Sequence, residues 1–295
     1  MNRGISIIVP VYKDLQGLEE TFQLLSSTDL PAQVEWIICN DGADPEISNW
    51  VASRHLREVG IAENKGSYNA RNAGIEIAKY EWLVFADAGI EVKNGWFQAA
   101  ENQSDTYDYF AFNIKIAPES QTSLSKRYSS FVEFQTDKFW HKKHFGPTAF
   151  LVVKKKVFDN LGTFDQQLYS GGDFEFGNRC WTSKVAMTYV AQVFVFHAAR
   201  SLKGKFKKHL RVFPGIRNLQ KSYPERSFDL PNIDFKELVI SPIKWLYELK
   251  NMKKSEAYKS GQFTRIQLIW LISVHKILHS LAIAHSLVLP NKFAK

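Results

Sequence analysis

Four short apolar runs rich in β-branched and aromatic residues open the chain, and the stretches between them carry helical signals. This alternation restricts the fold more than any other feature. Ile5 to Tyr12 has no polar/apolar alternation, as expected of a strand buried on both faces. Leu15, Leu18, Phe22 and Leu25 then recur at helical spacing. Val34 to Cys39 reads as a second buried strand ending at Asn40-Asp41-Gly42. Asp44-Pro45-Glu46 combines an N-cap, a proline at the first helical position and an acidic first turn. Val59 to Ala62 is a third strand, Gly66 to Lys79 a helix and Trp82 to Ala86 a fourth strand. Such an order predicts an α/β domain with a mainly parallel central sheet and helices on both faces. Ligands of such sheets bind beyond the carboxyl ends of the strands, where Asn40-Asp41 and Asp87 lie.

Further along, the pattern predicts a strand over Tyr107 to Ile116, a helix over Ser123 to Phe134 and a short strand over Phe150 to Val153. A helix follows from Lys154 to Leu161, closed by Gly162. Gly172 to Lys184 reads as a helix opening on Asp173, and Val185 to Phe196 as one or two strands. The character changes after His197. Lys203, Lys205, Lys207, Lys208, His209 and Arg211 form a basic block, and Pro214, Pro224 and Pro231 punctuate an irregular stretch. Ile266 to Leu289 is strongly apolar, with His275, Lys276, His279 and Ser280 forming a polar stripe at four-residue spacing. The expected division is a domain over residues 1–200 and a basic, apolar helical extension over 201–295.

Several function classes are disfavoured. No Gly-x-Gly-x-x-Gly turn follows the first strand, and no glycine-rich loop ends in Lys-Ser or Lys-Thr, which argues against a dinucleotide-dependent dehydrogenase and a P-loop kinase or ATPase. Two cysteines, Cys39 and Cys180, support no disulfide scaffold. The formal charge of +8 favours polyanionic partners. No helix-turn-helix, zinc or aromatic RNA-binding signature accompanies it, so specific nucleic-acid recognition is not expected. Met1 to Gly4 runs straight into a strand without a signal peptide, and the expected location is cytoplasmic.

The chemistry-bearing residues fall at ordered places. Lys65, Arg71 and Asn72 flank a helix start, and a helix N-terminus with cations nearby suits a diphosphate, although a solvated basic face has the same composition. Asp41 beside Gly42 is also a common turn pair. Asp173 and Glu175 sit where a helix cap and acidic first turn are found.

Taken together, Ile5 to Tyr12, Asn40-Asp41-Gly42, Asn64-Lys65-Gly66 through Ala70-Arg71-Asn72, Phe85-Ala86-Asp87 and Gly171 to Arg179 resemble inverting family-2 glycosyltransferases of the GT-A fold, of the bacterial surface-glycan type. His197-Ala198-Ala199-Arg200-Ser201 resembles a histidine motif of bacterial members. The resemblance covers residues 5 to 201. It implies transfer of a sugar, with inversion, from a nucleotide diphosphate sugar (most often a UDP-sugar) to a hydroxyl of a glycan or lipid-linked glycan. It implies that Asp41 contacts the donor's base or ribose, that Pro10, Val11 and Tyr12 line the same pocket, and that Lys65, Arg71 and Asn72 serve the diphosphate.

Asp87 matches the first position of the family's Asp-x-Asp motif, which holds Mn²⁺ or Mg²⁺ on the donor phosphates. Here the motif reads Asp87-Ala88-Gly89, so Glu91 or His197 is the candidate to complete it. Asp173 matches the catalytic base, with Gly172 in place of the usual preceding Glu. Glu175 is expected to orient the acceptor or support Asp173, and Arg179 to hold either carboxylate. The departures at Gly89 and Gly172 leave a non-catalytic glycan- or nucleotide-sugar-binding protein as the alternative. His275 and His279 have the spacing of a metal pair but no acidic third ligand nearby. The basic block and apolar tail point to a peripheral place on the inner face of the plasma membrane through an interfacial helix, or to ordinary packing of this helix on the catalytic domain or a second subunit.

Overall fold

The structure, a computed structural model, describes residues 4–224 and 233–288. In chain order its elements are β1 (Ile5–Val11), α1 (Leu15–Ser26), β2 (Val34–Asp41), α2 (Pro45–Ser53), β3 (Arg57–Ile61), α3 (Ser67–Ile77), β4 (Trp82–Ala86), β5 (Ile90–Val92), α4 (Trp96–Glu101) and β6 (Tyr109–Ile116). There follow α5 (Leu124–Val132), α6 (Thr136–Lys143), β7 (Phe150–Lys154), α7 (Lys155–Leu161), α8 (Gly172–Thr182) and β8 (Met187–His197). The last are α9 (Leu202–Ser222), α10 (Phe235–Asn251), α11 (Glu256–Lys259) and α12 (Arg265–Val288). The chain divides into two compact units, Met1–Lys115 with Gln135–Ala198 and Ile116–Phe134 with Ala199–Lys295.

The first unit is an α/β fold around one mixed sheet of order β3-β2-β1-β4-β7-β6-β8-β5. β3, β2, β1 and β4 run parallel, while β7 is antiparallel to β4 and β6 antiparallel to β7. The parallel half puts Val11, Asp41 and Ala86 at one edge, and β7 returns to that edge at Phe150 beside Ala86. β1, β4 and β7 are the core, with Ile7, Ile8, Leu83, Val84, Phe85, Leu151 and Val152 fully buried. Runs without alternation are what a two-sided burial requires. α3 lies unusually close to the sheet. A side chain at Gly74 would stand 2.5 Å from Ile8 Cγ2 and 2.9 Å from Cys39 Sγ, so only glycine allows this approach. It carries the first turns of α3, with Tyr68 and Arg71, to the functional edge.

The second unit is helical. The basic block and the first part of the expected irregular stretch form the 21-residue α9, with Pro214 inside it and Pro224 beyond its end. Proline removes a donor and normally breaks a helix. Here Phe213 and nearby Leu210 and Ile216 pack with Ala282 and Ile283 of α12, and tertiary burial outweighs the local preference. Pro231 and Leu289 lie outside the described residues. Within this unit Glu133 is ringed by Arg200, Lys205 and Lys208 at 3.5–3.8 Å. Burial pushes its carboxyl up, but Lys208, Lys205 and Arg200 outweigh that and hold it low.

The polar stripe of α12 points into this unit. His275 meets the Tyr128 ring edge-on at 5.0 Å, and His279 meets Phe213 at 4.8 Å. Burial pushes both imidazoles down to about 4, with Lys205 adding to the effect at His275 and Lys276 at His279, against the opposing charges of Glu133 and Glu237. Both are therefore neutral in the fold and gain protons in the unfolded chain near 6.5. Stability from this pair is complete above about pH 6.5 and is lost as pH falls toward about 4. Thermal melts across that range are expected to show a falling midpoint, flattened in the His275→Gln/His279→Gln variant.

Candidate functional site

The parallel strands end in carboxylates, and the structure shows what each one touches. Asp41 closes β2 and is buried. Its Oδ1 accepts from the Lys65 amide at 2.8 Å and its Oδ2 from the Gly66 amide at 2.9 Å. It thus ties the loop before α3 to the end of β2, and it leaves the Lys65 side chain exposed. Tyr12, one residue past β1, is an exposed aromatic ring at the same edge, close over Gly42. Val11 is buried and Pro10 half-buried beneath it.

Asp87 follows β4. Its amide donates to Ala149 O at 2.9 Å, and its carbonyl accepts from Thr21 Oγ1 at 3.1 Å. The same hydroxyl accepts from the Ile90 amide, and the Gly89 amide donates to Gly17 O at 2.9 Å. α1 therefore buttresses the 87–90 turn. Gly89 has φ +78 with open space around its Cα, a left-handed conformation that glycine adopts at no steric cost. The second carboxylate of an Asp-x-Asp motif would fall at this glycine.

Asp87 Oδ1 pairs with Arg71 Nη2 at 2.5 Å. The guanidinium is 3% exposed and the carboxylate 32%. Arg71 also stands 5.5 Å from the Tyr68 ring centroid, and its Nε is buried with no hydrogen-bond partner. The Tyr68 hydroxyl donates to Asp173 Oδ1 at 3.0 Å. One continuous chain of contacts, Asp87–Arg71–Tyr68–Asp173, thus joins the end of β4 to the start of α8. Asp173 is the second residue of α8, whose cap is Gly171 with no side-chain bond, so Asp173 is not the N-cap. Gly172 leaves room for Tyr68: a Cβ there would lie 2.9 Å from the ring. Burial raises the Asp173 carboxyl above its ordinary value, against the Tyr68 hydrogen bond, the Arg71 charge and the Phe174 and Thr148 amides. A carboxylate held up by desolvation yet still hydrogen-bonded can take a proton.

Other expected site residues are spent elsewhere. Asn72 donates to Phe164 O at 2.7 Å and accepts from Phe164 N at 3.1 Å, which fixes α3 to the segment before α8. Arg179 grips Glu175 through Nε at 3.0 Å and Nη2 at 2.9 Å, and its remaining donors reach the carbonyls of Leu161, Gly162 and Thr163. Arg179 holds Glu175, not Asp173. Glu91 pairs with Lys93. His197 ends β8 opposite Ile90, with Nδ1 3.0 Å from Ala198 O. Among the described residues no group of three His, Cys, Asp or Glu side chains is placed to hold a metal. What remains fits a cation that arrives with a diphosphate: one partly exposed carboxylate, Asp87, two residues before the uncrowded Gly89, since Mg²⁺-type ions are commonly held by one or two carboxylates plus substrate phosphates. Tyr68 and Thr21 carry no local signal that distinguishes them from ordinary core residues.

The sequence profile described as "Glycosyl transferase family 2" matches residues 6–162, more than half of the chain. "Glycosyltransferase AglE" of Haloferax volcanii is 26% identical over 219 residues, covering 72% of each chain. "Poly(ribitol-phosphate) beta-glucosyltransferase" of Bacillus spizizenii is 32% identical over 113 residues, which cover 34% of this chain and 18% of that protein. Among solved structures, a mannosyltransferase of Pyrobaculum calidifontis in complex with GDP-Man and Mn²⁺ aligns over 98% of this chain and 87% of that one, with a TM-score of 0.58 and 13% identity.

The clamp role of Glu175 and Arg179 is open to a direct check. Glu175 is 1% exposed, and removing the partner of a buried ion costs about 3–5 kcal/mol. Arg179→Met is expected to lose that much stability in denaturant unfolding, with Glu175→Gln milder. A variant that melts like wild type but fails in catalysis would place Arg179 in the chemistry instead.

Proposed function

This chain belongs to glycosyl transferase family 2, and from that premise we propose that it transfers a sugar from a nucleoside diphosphate sugar to a hydroxyl of a glycan or lipid-linked glycan, with inversion, in surface-polysaccharide synthesis. The observation that carries the reading is Asp173: a carboxylate raised by burial, hydrogen-bonded to Tyr68 and still partly accessible at the strand-end edge. The acceptor hydroxyl gives its proton to Asp173 as its oxygen attacks the anomeric carbon. The bond from that carbon to the diphosphate oxygen breaks, and the nucleoside diphosphate leaves with the electron pair. The other carboxylates at this edge are engaged, Asp41 by amides, Asp87 by Arg71 and Glu175 by Arg179. Asp173 is itself held by the Tyr68 hydroxyl and the Phe174 amide, and a single base suits one displacement rather than two.

The donor lies over the ends of β1, β2 and β4. Tyr12 offers a ring for the base, and Pro10, Val11 and the loop tied by Asp41 form the floor. Lys65 and the N-terminal turn of α3 face the diphosphate, and Arg71 sets the charge of Asp87 beside it. A divalent cation, Mn²⁺ or Mg²⁺, would be held by Asp87, with His197 as a further candidate, and would offset the negative charge that develops on the leaving diphosphate. UDP-sugars are the first donors to test, on the family resemblance.

Loss of a general base costs about 10²–10⁴-fold in rate. Asp173→Asn is therefore expected to lose transfer by that factor while thermal stabilisation by the nucleotide persists, since Asp173 lies outside the proposed nucleotide floor. Full transfer by a folded Asp173→Asn protein would overturn the assignment. A second check uses UDP, GDP, CMP and dTDP, each with and without Mn²⁺, in thermal-shift assays. Stabilisation grows with ligand affinity for the fold, and the expected result is one preferred nucleotide whose shift needs Mn²⁺ and shrinks in Asp87→Asn. Binding without turnover in both assays would favour the non-catalytic reading that Gly89 and Gly172 motivate.

A further inference from the structure

In the helical unit, α10 and α12 each leave a row of apolar side chains exposed, although α12 also buries Leu268, Leu271, Ile272, Ala282 and Ile283 in the core. On α10, Glu237 and Ser241 are buried, whereas Phe235, Val239, Ile243 and Leu246 are 57–71% exposed. On α12, Ile266, Trp270, Ile277 and Leu281 are 47–80% exposed. Each set recurs at helical spacing and so forms one stripe. The stripes flank a common open groove of about 340 Å³, with Pro242 and Trp245 on one wall and Ile277 and Leu281 on the other. Ser241, Ser273, Ser280 and the ion-paired Lys276 complete its lining, and exposed apolar stripes beside such a groove mark an interaction site.

Charge identifies the occupant. α12 contains no Asp or Glu. The two glutamates of α10 are held by lysines, Glu237 by Lys244 at 2.6 Å and Glu248 by Lys276 at 2.8 Å. Exposed cations stand at the ends of the stripes: Lys236 at the start of α10, Lys250, Lys253 and Lys254 at its end, and Arg265 at the start of α12. A second copy packed by a two-fold would set these like charges in one interface. An anionic bilayer instead takes apolar side chains into its acyl boundary and cationic ones among its headgroups. α12 is long and apolar enough to span a membrane. Spanning would withdraw Leu268, Leu271, Ala282 and Ile283 from the core of this unit and put His275, Lys276 and His279 in hydrocarbon.

We propose that the face shared by α10 and α12 docks, without spanning, on an anionic lipid bilayer, and that its groove receives a hydrocarbon chain of that bilayer. This docking does not depend on the catalytic reading and is tested without turnover. The full chain is sedimented with vesicles of phosphatidylcholine alone or mixed with phosphatidylglycerol. The expected result is binding to the mixed vesicles, weaker binding to the neutral ones, and loss of about tenfold or more in affinity in Ile243→Glu/Leu281→Glu, from the apolar area no longer withdrawn from water. Both positions are exposed, and an unchanged melting curve verifies the fold. Lys250→Gln/Lys253→Gln/Lys254→Gln is expected to remove the preference for the mixed vesicles. Absence of wild-type binding, or equal binding by the Glu variant, would overturn the proposal. So would a lipid-free dimer that the Glu variant turns into a monomer, which would give the face to a second copy.

Discussion

A buried guanidinium sets the electrostatics of the strand-end edge. Arg71 is almost completely withdrawn from water, and an isolated charge there would be prohibitively costly. Asp87 compensates it on one side, and the Tyr68 ring lies against it on the other. The arrangement needs α3 close to the sheet, which Gly74 permits, and a turn after β4 fixed by Thr21 and Gly17 of α1. The Tyr68 hydroxyl, placed by the same helix, reaches Asp173. The state of the proposed base therefore depends on packing two elements away. Burial raises Asp173, while Tyr68 and Arg71 limit how far it rises.

The remaining polar residues do quieter work that is equally specific. Asp41, Asn72 and the Glu175–Arg179 pair spend their hydrogen bonds on backbone and on one another. They fix the loop before α3, the segment near Phe164 and the 161–163 turn. A site built on strand ends needs such ties, because loops alone hold side chains less tightly than the elements they join.

Much of the first unit was legible in the chain. Non-alternating runs announced β1, β2 and β4, and the carboxylates beyond them announced the edge. Partnerships were not legible, because they join residues far apart: Tyr68 and Asp173 are 105 positions apart, and Asn72 and Phe164 are 92. Local spacing put Arg179 near both Asp173 and Glu175, and only the helix geometry decides for Glu175 at i, i+4. In the second unit, Pro214 suggested irregular chain where packing sustains a helix. The histidine stripe of α12 was visible as a pattern, but periodicity alone does not say which face turns inward. Here His275 and His279 pack on Tyr128 and Phe213 beside the apolar core residues of α12, and a second apolar row is left exposed.

Asp173 is a carboxylate raised by burial and restrained by Tyr68. Titrating it by carbon-13 NMR of labelled aspartate carboxyls, assigned with Asp173→Asn, tests this directly. The wild-type midpoint is expected above that of an ordinary aspartate, and higher still in Tyr68→Phe, where a hydrogen bond to the charged form is lost. A wild-type midpoint at or below the ordinary value, or one that Tyr68→Phe leaves unmoved, would contradict it.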